Sequence, residues 1–178
     1  MKIMIASDIH GSAKYCRKLL ERFDISGADR LALLGDLLYH GPRNGLSEEY
    51  DPKAVAEMLN GYADRIVCIK GNCDSEVDQM VLNFPIMSET ALIFNGAASA
   101  LLIHGHKNAD TLPLKGVDIV LYGHTHIPDN TGKNGVIYAN PGSVSIPKEG
   151  SPRGFILWEG KTLYWTSLEG DWYDSREF

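Results

Sequence analysis

Short polar clusters rich in histidine, aspartate and asparagine recur along the 178-residue chain. There are five of them: Asp8-Ile9-His10-Gly11, Gly35-Asp36, Gly71-Asn72-Cys73-Asp74, His104-Gly105-His106 and Gly123-His124-Thr125-His126. Their carboxylate, imidazole and amide groups are oxygen and nitrogen donors, which suit borderline and hard divalent ions. In an extended segment, side chains two positions apart share a face, so Asp8 with His10 and His124 with His126 would each act as a pair. The clusters therefore predict a metal site.

Each cluster follows a run of apolar residues that is typical of a buried β-strand. The five predicted strands cover residues 3–6, 30–34, 65–69, 98–103 and 117–121. In α/β sheets, ligands bind in the crevice outside the carboxyl ends of the strands, where a rigid sheet holds side chains that still face solvent. A single match of this kind is typical of a turn aspartate or a surface histidine. Five clusters in the same position, holding five of the six histidines, favour one shared site.

Helical and hairpin patterns place these strands in a fold. Amphipathic helices are predicted over residues 11–23, from Asp51-Pro52 to Gly61, and briefly over residues 76–82. Asn95-Gly96 and Glu159-Gly160 predict hairpins, residues 132–135 predict a turn, and residues 136–139 predict another strand. The order of elements predicts an α/β fold that forms one domain over residues 1–178. Parallel strands come early and antiparallel strands late, in two packed sheets with helices outside.

Composition excludes several classes of protein. The chain has 23 acidic and 17 basic residues, a net charge of −6, which is the wrong sign for a non-specific nucleic-acid binder. Cys16, Cys68 and Cys73 are odd in number and form no C-x-x-C pair, so neither a disulfide framework nor a thiolate zinc site is expected. The first residues lack a secretory h-region, and the apolar stretch 91–103 is too short for a membrane helix. We therefore expect a cytoplasmic protein without a membrane segment.

The ordered set of clusters resembles the calcineurin-like metallophosphoesterases, whose motifs are D-x-H, G-D, G-N-H-D or G-N-C-D, H and G-H-x-H. The resemblance covers nearly the whole chain. Three further segments resemble in particular the small bacterial phosphodiesterases of the YfcE type: residues 40–44 (HGPRN), 71–80 (GNCDSEVDQM) and 140–147 (NPGSVSIP). The family's fold of two packed, mixed β-sheets flanked by helices, a β-sandwich with a two-metal site at one edge, is therefore expected here.

The resemblance also implies the ligands of the two ions. One ion would be bound by Asp8, His10, Asp36 and His126, and the other by Asp36, Asn72, His104 and His124, with Asp36 bridging them. The family favours Mn²⁺, and the donor set is also compatible with Zn²⁺, Fe²⁺, Co²⁺ or Ni²⁺. Two such ions carry four positive charges against two carboxylates, so an acidic protein would present a positive centre to a phosphodiester.

The expected reaction is hydrolysis of a phosphodiester by in-line attack of a metal-bridging hydroxide. Asp36, Asn72, Arg43 and Cys73 are the candidate catalytic residues, and His40, Arg43 and Asn44 the candidate substrate-binding residues. Arg43 is the candidate phosphate clamp, with a solvated loop arginine as the alternative. Cys73 stands where many relatives have a histidine that protonates the leaving group. It is either a small filler residue or a weak acid.

Other interpretations stay open from the sequence alone. His106 would orient His104 or cap a turn, and residues 140–143 would form a turn or a wall of the site. The aromatic C-terminal region would form a surface for a homodimer or homotetramer, or would pack within a sheet. A small-molecule phosphodiester is the expected partner. The alternative functions are a catalytically weak protein-binding scaffold on the same fold and a phosphomonoesterase.

Overall fold

Two β-sheets face each other in the computed structural model, which describes residues 1–96, 98–107 and 112–178. The first sheet has six strands in the order β11-β10-β9-β1-β2-β3, and the second has five in the order β4-β5-β6-β8-β7. The strands are β1 (Ile3–Ala6), β2 (Arg30–Leu33), β3 (Ile66–Cys68), β4 (Thr90–Asn95), β5 (Ala98–Ile103), β6 (Ile119–Leu121), β7 (Pro128–Lys133), β8 (Val136–Pro141), β9 (Gly154–Glu159), β10 (Thr162–Ser167) and β11 (Trp172–Glu177). Both sheets are mixed: β1, β2 and β3 are parallel, as are β5, β6 and β8, and every other neighbouring pair is antiparallel. The predicted fold class is confirmed.

Within the described residues, three α-helices and a 3-10 turn (Ala63–Arg65) complete the fold, and the α-helices are α1 (Ala13–Ser26), α2 (Pro52–Asn60) and the short α3 (Glu76–Val81). Helix α1 begins two residues later than predicted because Ser12 is its N-cap and accepts a hydrogen bond from the Tyr15 amide. It ends at Gly27, whose φ of 64° lies in the left-handed region that favours glycine. Asp51 caps α2 in the predicted way, by accepting a hydrogen bond from the Ala54 amide.

The alternation of side chains along the strands divides the core into two main layers. Ile3 and Ile5 of β1 point between the sheets, where they meet Trp158 and Trp165. Met4 points the other way and packs with residues of α1 and α2. Both faces of β1 are buried, which explains why its sequence is a continuous apolar run. On the outer face of the second sheet, Leu101, Ile103 and Val120 form a smaller cluster with residues of the following loops.

Two of the strands, β7 and β11, are not predicted from the sequence because they lack an apolar face. β7 and β11 each lie at one edge of their sheets, and none of their residues is buried. The turn expected at residues 132–135 is therefore shorter than predicted, because residues 132 and 133 belong to β7. The turn consists of Asn134 and Gly135, which both have positive φ. The C-terminal aromatic residues are divided: Trp158 and Trp165 are buried between the sheets, whereas Trp172 is 66% exposed.

Other expectations concern membranes and cysteines. In the ranges that the structure describes, no helix has the length and apolar character to cross a bilayer. The apolar stretch 91–103 contributes the β4–β5 hairpin, although residue 97 within it lies outside the described ranges. All three cysteines are free, and Cys16 and Cys68 are buried.

Candidate metal centre

The polar clusters converge at one edge of the sandwich, at the carboxyl ends of β1, β2, β3, β5 and β6. Three groups of donor atoms form there, each with its members within 4.8 Å of one another. Two of them consist of predicted ligands only and are called the two donor groups: Asp8, His10 and His126, and Asp36, His104 and His124. The third joins His10 and Asp36 with the Cys73 thiol. Asp36 lies between the groups, since its Oδ2 is 3.6 Å from His10 Nε2 and 3.3 Å from His104 Nε2. The structure thus brings these six predicted ligands together.

Asn72 supplies the seventh predicted donor. Its Oδ1 lies 3.0 Å from His104 Nε2, beside the second group. The loop after β3 carries Asn72 to this position, while the other donors follow β1, β2, β5 and β6. An amide oxygen adds a ligand without adding negative charge.

The backbone of the donor loops is held in an uncommon conformation. Five of the donor residues have φ between 46° and 67°, in the left-handed region. They are Asp8, His10, Asp36, His124 and His126. This conformation is strained for a residue with a side chain, and such strain clusters at functional sites because the surrounding structure must impose it. In this chain it turns successive side chains toward a common centre.

Backbone carbonyls fix the orientation of three imidazole rings. The Nδ1 atoms of His10, His104 and His126 lie 2.8, 2.6 and 2.8 Å from carbonyl oxygens of Tyr39, Leu34 and Ile146 respectively. Because a carbonyl oxygen can only accept, each Nδ1 must carry a proton and donate it. The Nε2 atoms then face the centre, where each can bind a metal ion once it carries no proton, which is the arrangement a metal-binding histidine needs.

Two features show that the centre needs a cation. His10 Nε2 and His126 Nε2 are 3.3 Å apart, so their lone pairs repel unless a proton or a metal ion lies between them. The nearby Asp8 Oδ1 is fully buried and has no hydrogen-bond partner among the described residues, although the other oxygen of that carboxylate accepts from the His124 amide. A buried, unsatisfied carboxylate oxygen is costly. The donor set and this orphaned oxygen therefore fit a divalent metal ion.

The pKa values show the same need for positive charge. Although burial opposes it, the nearby histidines hold the pKa of Asp8 far below its usual range and lower that of Asp36. Burial also disfavours the charged form of His104, but the hydrogen bond with Asp36 and the charge of Asp8 raise its pKa to about 9. Protons on His10 and His104, whose pKa values are raised, therefore balance the carboxylates when no metal ion does so.

We expect metal binding to release protons. A metal ligand must be deprotonated, and with a pKa of about 9 the His104 ring is largely protonated at pH 7.5 in metal-free protein. Binding should therefore release about one proton from this group at pH 7.5, fewer as the pH passes 9, and metal affinity should rise with pH over this range. Calorimetric titration in two buffers of different ionisation enthalpy measures the number released.

His106→Gln is the matched control for that titration. His106 is exposed and lies outside the two donor groups, so this change should leave the proton count unaltered. Equal binding heats in the two buffers at pH 7.5 would contradict the expected release.

A cleft of about 450 Å³ opens beside the donor groups. The residues that line it are Asp36, Gly41, Pro42, Arg43, Asn44, Asn72, Cys73, His124, Thr125, His126 and Lys148. Arg43 is exposed and, among the described residues, takes part in no ion pair, so its guanidinium is available to a ligand. Lys148 is a second cation in the cleft that sequence reasoning missed. The signal for it was its place directly after the 140–147 motif.

His40 does not line this cleft. Its ring lies between those of Tyr39 and Tyr50, at centroid distances of 4.5 and 5.3 Å. Its backbone carbonyl accepts a hydrogen bond from the Asn44 side chain, which steadies the cleft loop. The expectation that His40 contacts substrate therefore has no support from its position.

Cys73 lies in the cleft, next to Asp36. Burial, followed by the charge of Asp36, raises the pKa of its thiol to about 12, so the thiol stays protonated at neutral pH. An acid this weak gives up its proton reluctantly. Its environment favours the interpretation of Cys73 as a filler residue.

His106 and residues 140–143 lie near the donor groups, and their contacts distinguish between the interpretations that the sequence left open. His106 does not orient His104, because the Leu34 carbonyl occupies the His104 Nδ1. Asn140 forms the expected turn by accepting from the Gly142 amide, and Ser143 donates its hydroxyl to the Asp8 carbonyl at 2.8 Å. Both residues are fully buried and brace the donor loops from behind without lining the cleft.

Comparison with known proteins identifies similar chains. The sequence model of one protein family, the calcineurin-like phosphoesterase superfamily domain, matches residues 1–162. The chain is 46% identical over 165 residues to phosphodiesterase YfcE of Escherichia coli strain K12, covering 92% of this chain and 90% of that protein. It is 25% identical over 157 residues to the probable metallophosphoesterase YsnB of Bacillus subtilis strain 168, covering 83% and 78% of the two chains.

Solved structures with a similar fold include a relative of the same family. The structure of E. coli YfcE, described as a phosphoesterase, superposes with a TM-score of 0.94 at 41% identity and covers 99% of each chain. Vps29 of Entamoeba histolytica, crystallised with Zn²⁺, superposes with a TM-score of 0.59 at 21% identity, covering 92% of this chain and 91% of that one. The second likeness concerns the fold alone.

Proposed function

Because the chain belongs to the calcineurin-like phosphoesterase superfamily, and is therefore a phosphoric ester hydrolase, we propose that it is a metal-dependent phosphodiesterase with a two-metal centre. One ion would be held by Asp8, His10, Asp36 and His126, and the other by Asp36, Asn72, His104 and His124. The observation that carries this proposal is the position of Asp36 Oδ2, within 3.6 Å of histidine nitrogens from both donor groups. When bound, two divalent ions would activate water for in-line attack on phosphorus and would neutralise the phosphoryl oxygens.

The charge of the centre supports a phosphodiester substrate. Asp8 and Asp36 are the only carboxylates among the seven proposed ligands, so two divalent ions would leave a net charge of about +2. In the cleft, Arg43 and Lys148 add two cations, and Asp36 is the one acidic residue among those that line it. A singly charged phosphodiester would therefore be attracted to this edge of an otherwise acidic protein.

The protein's own residues have distinct proposed roles. His10, His104 and His126 are pre-oriented by carbonyls, so they need no rearrangement to bind ions. Arg43 would hold a phosphoryl oxygen, and Asn44, anchored to the His40 carbonyl, would fix the loop that carries it. Mn²⁺ is the proposed metal, and the nitrogen and oxygen donors are also compatible with Zn²⁺, Fe²⁺, Co²⁺ or Ni²⁺.

The proposal is tested with two aryl esters. Metal-loaded protein should hydrolyse bis(p-nitrophenyl) phosphate, a diester, with a higher kcat/KM than p-nitrophenyl phosphate, a monoester. A preference for the monoester would favour a phosphomonoesterase. Failure to hydrolyse either ester with full metal occupancy would favour the catalytically weak scaffold.

Arg43→Ala is expected to raise KM for the diester at least about 10-fold while metal content stays unchanged, since a charge-assisted hydrogen bond is worth about 1.5–3 kcal/mol. Arg43→Lys should restore only part of the loss, because an ammonium group cannot contact two phosphoryl oxygens as a planar guanidinium does. Steady-state kinetics with metal analysis measures both. Arg30→Ala, at the start of β2, is the control and should behave as wild type. An unchanged KM for Arg43→Ala would identify it as a solvated loop residue.

We also propose a small-molecule substrate, a cytoplasmic location and one functional domain over residues 1–178. The three free cysteines support a reducing compartment. Self-association through the edge strand β11 is supported by its exposed Trp172 and Tyr173.

A further inference from the structure

Asp74 is a buried carboxylate that the proposed centre does not use as a ligand. Only 4% of its surface is exposed. Its Oδ2 accepts hydrogen bonds from the backbone amides of Asp36 and Gly71, at 2.8 and 2.7 Å, and its Oδ1 accepts from the amide of Leu37 at 2.9 Å. One side chain therefore joins the loop after β2 to the loop after β3.

The connection between these loops is reciprocal. Asp36 Oδ1 accepts a hydrogen bond of 2.8 Å from the Cys73 amide, so each loop's aspartate accepts from the backbone of the other loop. This bond occupies Oδ1 of Asp36 and leaves Oδ2 directed at His10 and His104. We call the pair of aspartates, Asp36 and Asp74, the carboxylate clamp.

Close backbone contact explains why the clamp is needed. A side chain at Gly35 would clash with the backbone of Gly71, and one at Gly71 would clash with both the amide and the carboxylate of Asp36. Asp36 itself has a φ of 57°, in the left-handed region. Conformations of this kind persist only where the surroundings over-determine them. Hydrogen bonds to a charged acceptor are about twice as strong as neutral ones, and Asp74 receives three of them.

We propose that Asp74 is a positioning residue that sets both metal sites at once by fixing the backbone of Asp36. The inference rests on the proposed function, in which Asp36 is the ligand shared by the two ions. Asp74 also follows the ligand Asn72 by two residues. The same side chain therefore fixes the positions of two ligands, Asp36 and Asn72, relative to each other. Loss of the clamp should therefore weaken the binding of both ions together.

Asp74→Asn is the conservative test, because it keeps the shape of the side chain. The amide oxygen can replace one carboxylate oxygen, but the NH₂ group then faces a backbone N–H and cannot accept from it. We expect affinity for both ions to fall about 10- to 100-fold, the usual effect of losing a residue that supports metal ligands. Competition with a fluorescent chelator measures the two affinities. In kinetics, kcat should fall while KM for the diester stays within about twofold.

Asp118→Asn is the matched control. Asp118 also accepts a backbone hydrogen bond, from the Ser99 amide at 2.8 Å, but it precedes β6 and thus lies at the end opposite to the metal centre. The same chemical change there should leave metal affinity unaltered. If Asp74→Asn lowers only Tm and keeps wild-type metal affinity, Asp74 is merely structural and the proposal is overturned. A loss confined to one of the two ions also overturns it.

Amide hydrogen exchange in metal-free wild-type protein provides a measurement that needs no variant. The clamp predicts slow exchange at the amides of Asp36, Leu37 and Gly71, because all three donate to a buried carboxylate. Fast exchange at these amides would overturn the proposal even if Asp74→Asn failed to fold. If the wild-type protein bound no divalent ion, the proposed function would fail, and exchange would still report on the clamp.

Discussion

Replacing Asp36 with asparagine is expected to lower kcat/KM for a phosphodiester by at least about 10³-fold, which corresponds to about 4 kcal/mol of transition-state stabilisation. In this variant the amide oxygen can keep the hydrogen bond from the Cys73 amide, so the loop should fold as in the wild type. The NH₂ group then takes the place of Oδ2 and faces His10 and His104. The position shared by both donor groups would lose its anionic oxygen.

The measurement combines kinetics on bis(p-nitrophenyl) phosphate with metal analysis of the same samples. Asp36→Asn should hold fewer than two ions per chain, whereas Asp118→Asn should match the wild type in metal content and in rate. An Asp36→Asn variant that retained a tenth or more of wild-type activity would show that this carboxylate does not hold the catalytic ions.

The second large effect concerns the leaving group. Wild-type protein should hydrolyse aryl diesters far faster than alkyl diesters, because a phenolate leaves without protonation and an alkoxide does not. In the metal-free protein, burial and the charge of Asp36 raise the pKa of the Cys73 thiol to about 12, which favours its interpretation as a filler residue. Cys73→His would introduce an acid whose ordinary pKa lies near neutral pH. It should raise the rate on an alkyl diester by about 10²-fold, within the usual range for general acid catalysis, and change the aryl rate little.

Cys73→Ala separates the two interpretations of the thiol. If Cys73 is a filler residue, the alanine variant should hydrolyse both ester types at close to the wild-type rates. A large loss confined to the alkyl ester would show that the thiol itself donates the proton. If the wild-type protein hydrolysed aryl and alkyl diesters at equal rates, a residue that protonates the leaving group would have to be present, and this prediction would be wrong.

Much of the site could be predicted because the donors follow strands that are apolar on both faces. The runs before Asp8 and Asp36 are buried between the second sheet and the helices, so their pattern is unambiguous. Their parallel arrangement then places the following residues at one edge. The assignment of donors to two ions came from the family resemblance, since spacing alone leaves the pairing open.

Other features depend on tertiary contacts that leave no local pattern. Asp8 and His126 have left-handed φ values although they are not glycines. Neighbouring loops impose this conformation, so the residue types at these positions give no sign of it. The role of Asp74 is likewise invisible, because its partners are backbone amides of another loop. Strand β11 was missed because its residues, Trp172–Glu177, lack an apolar face and gain strand structure only by pairing with β10.

The central claim is that two ions at the Asp36 edge carry out diester hydrolysis. Its most direct test is titration of metal-stripped protein with Mn²⁺ while the hydrolysis of bis(p-nitrophenyl) phosphate is followed. We predict no activity without metal and a rise to a plateau at two equivalents per chain. Activity that persists in the stripped protein, a plateau at one equivalent, or failure of every divalent ion to restore turnover would contradict it.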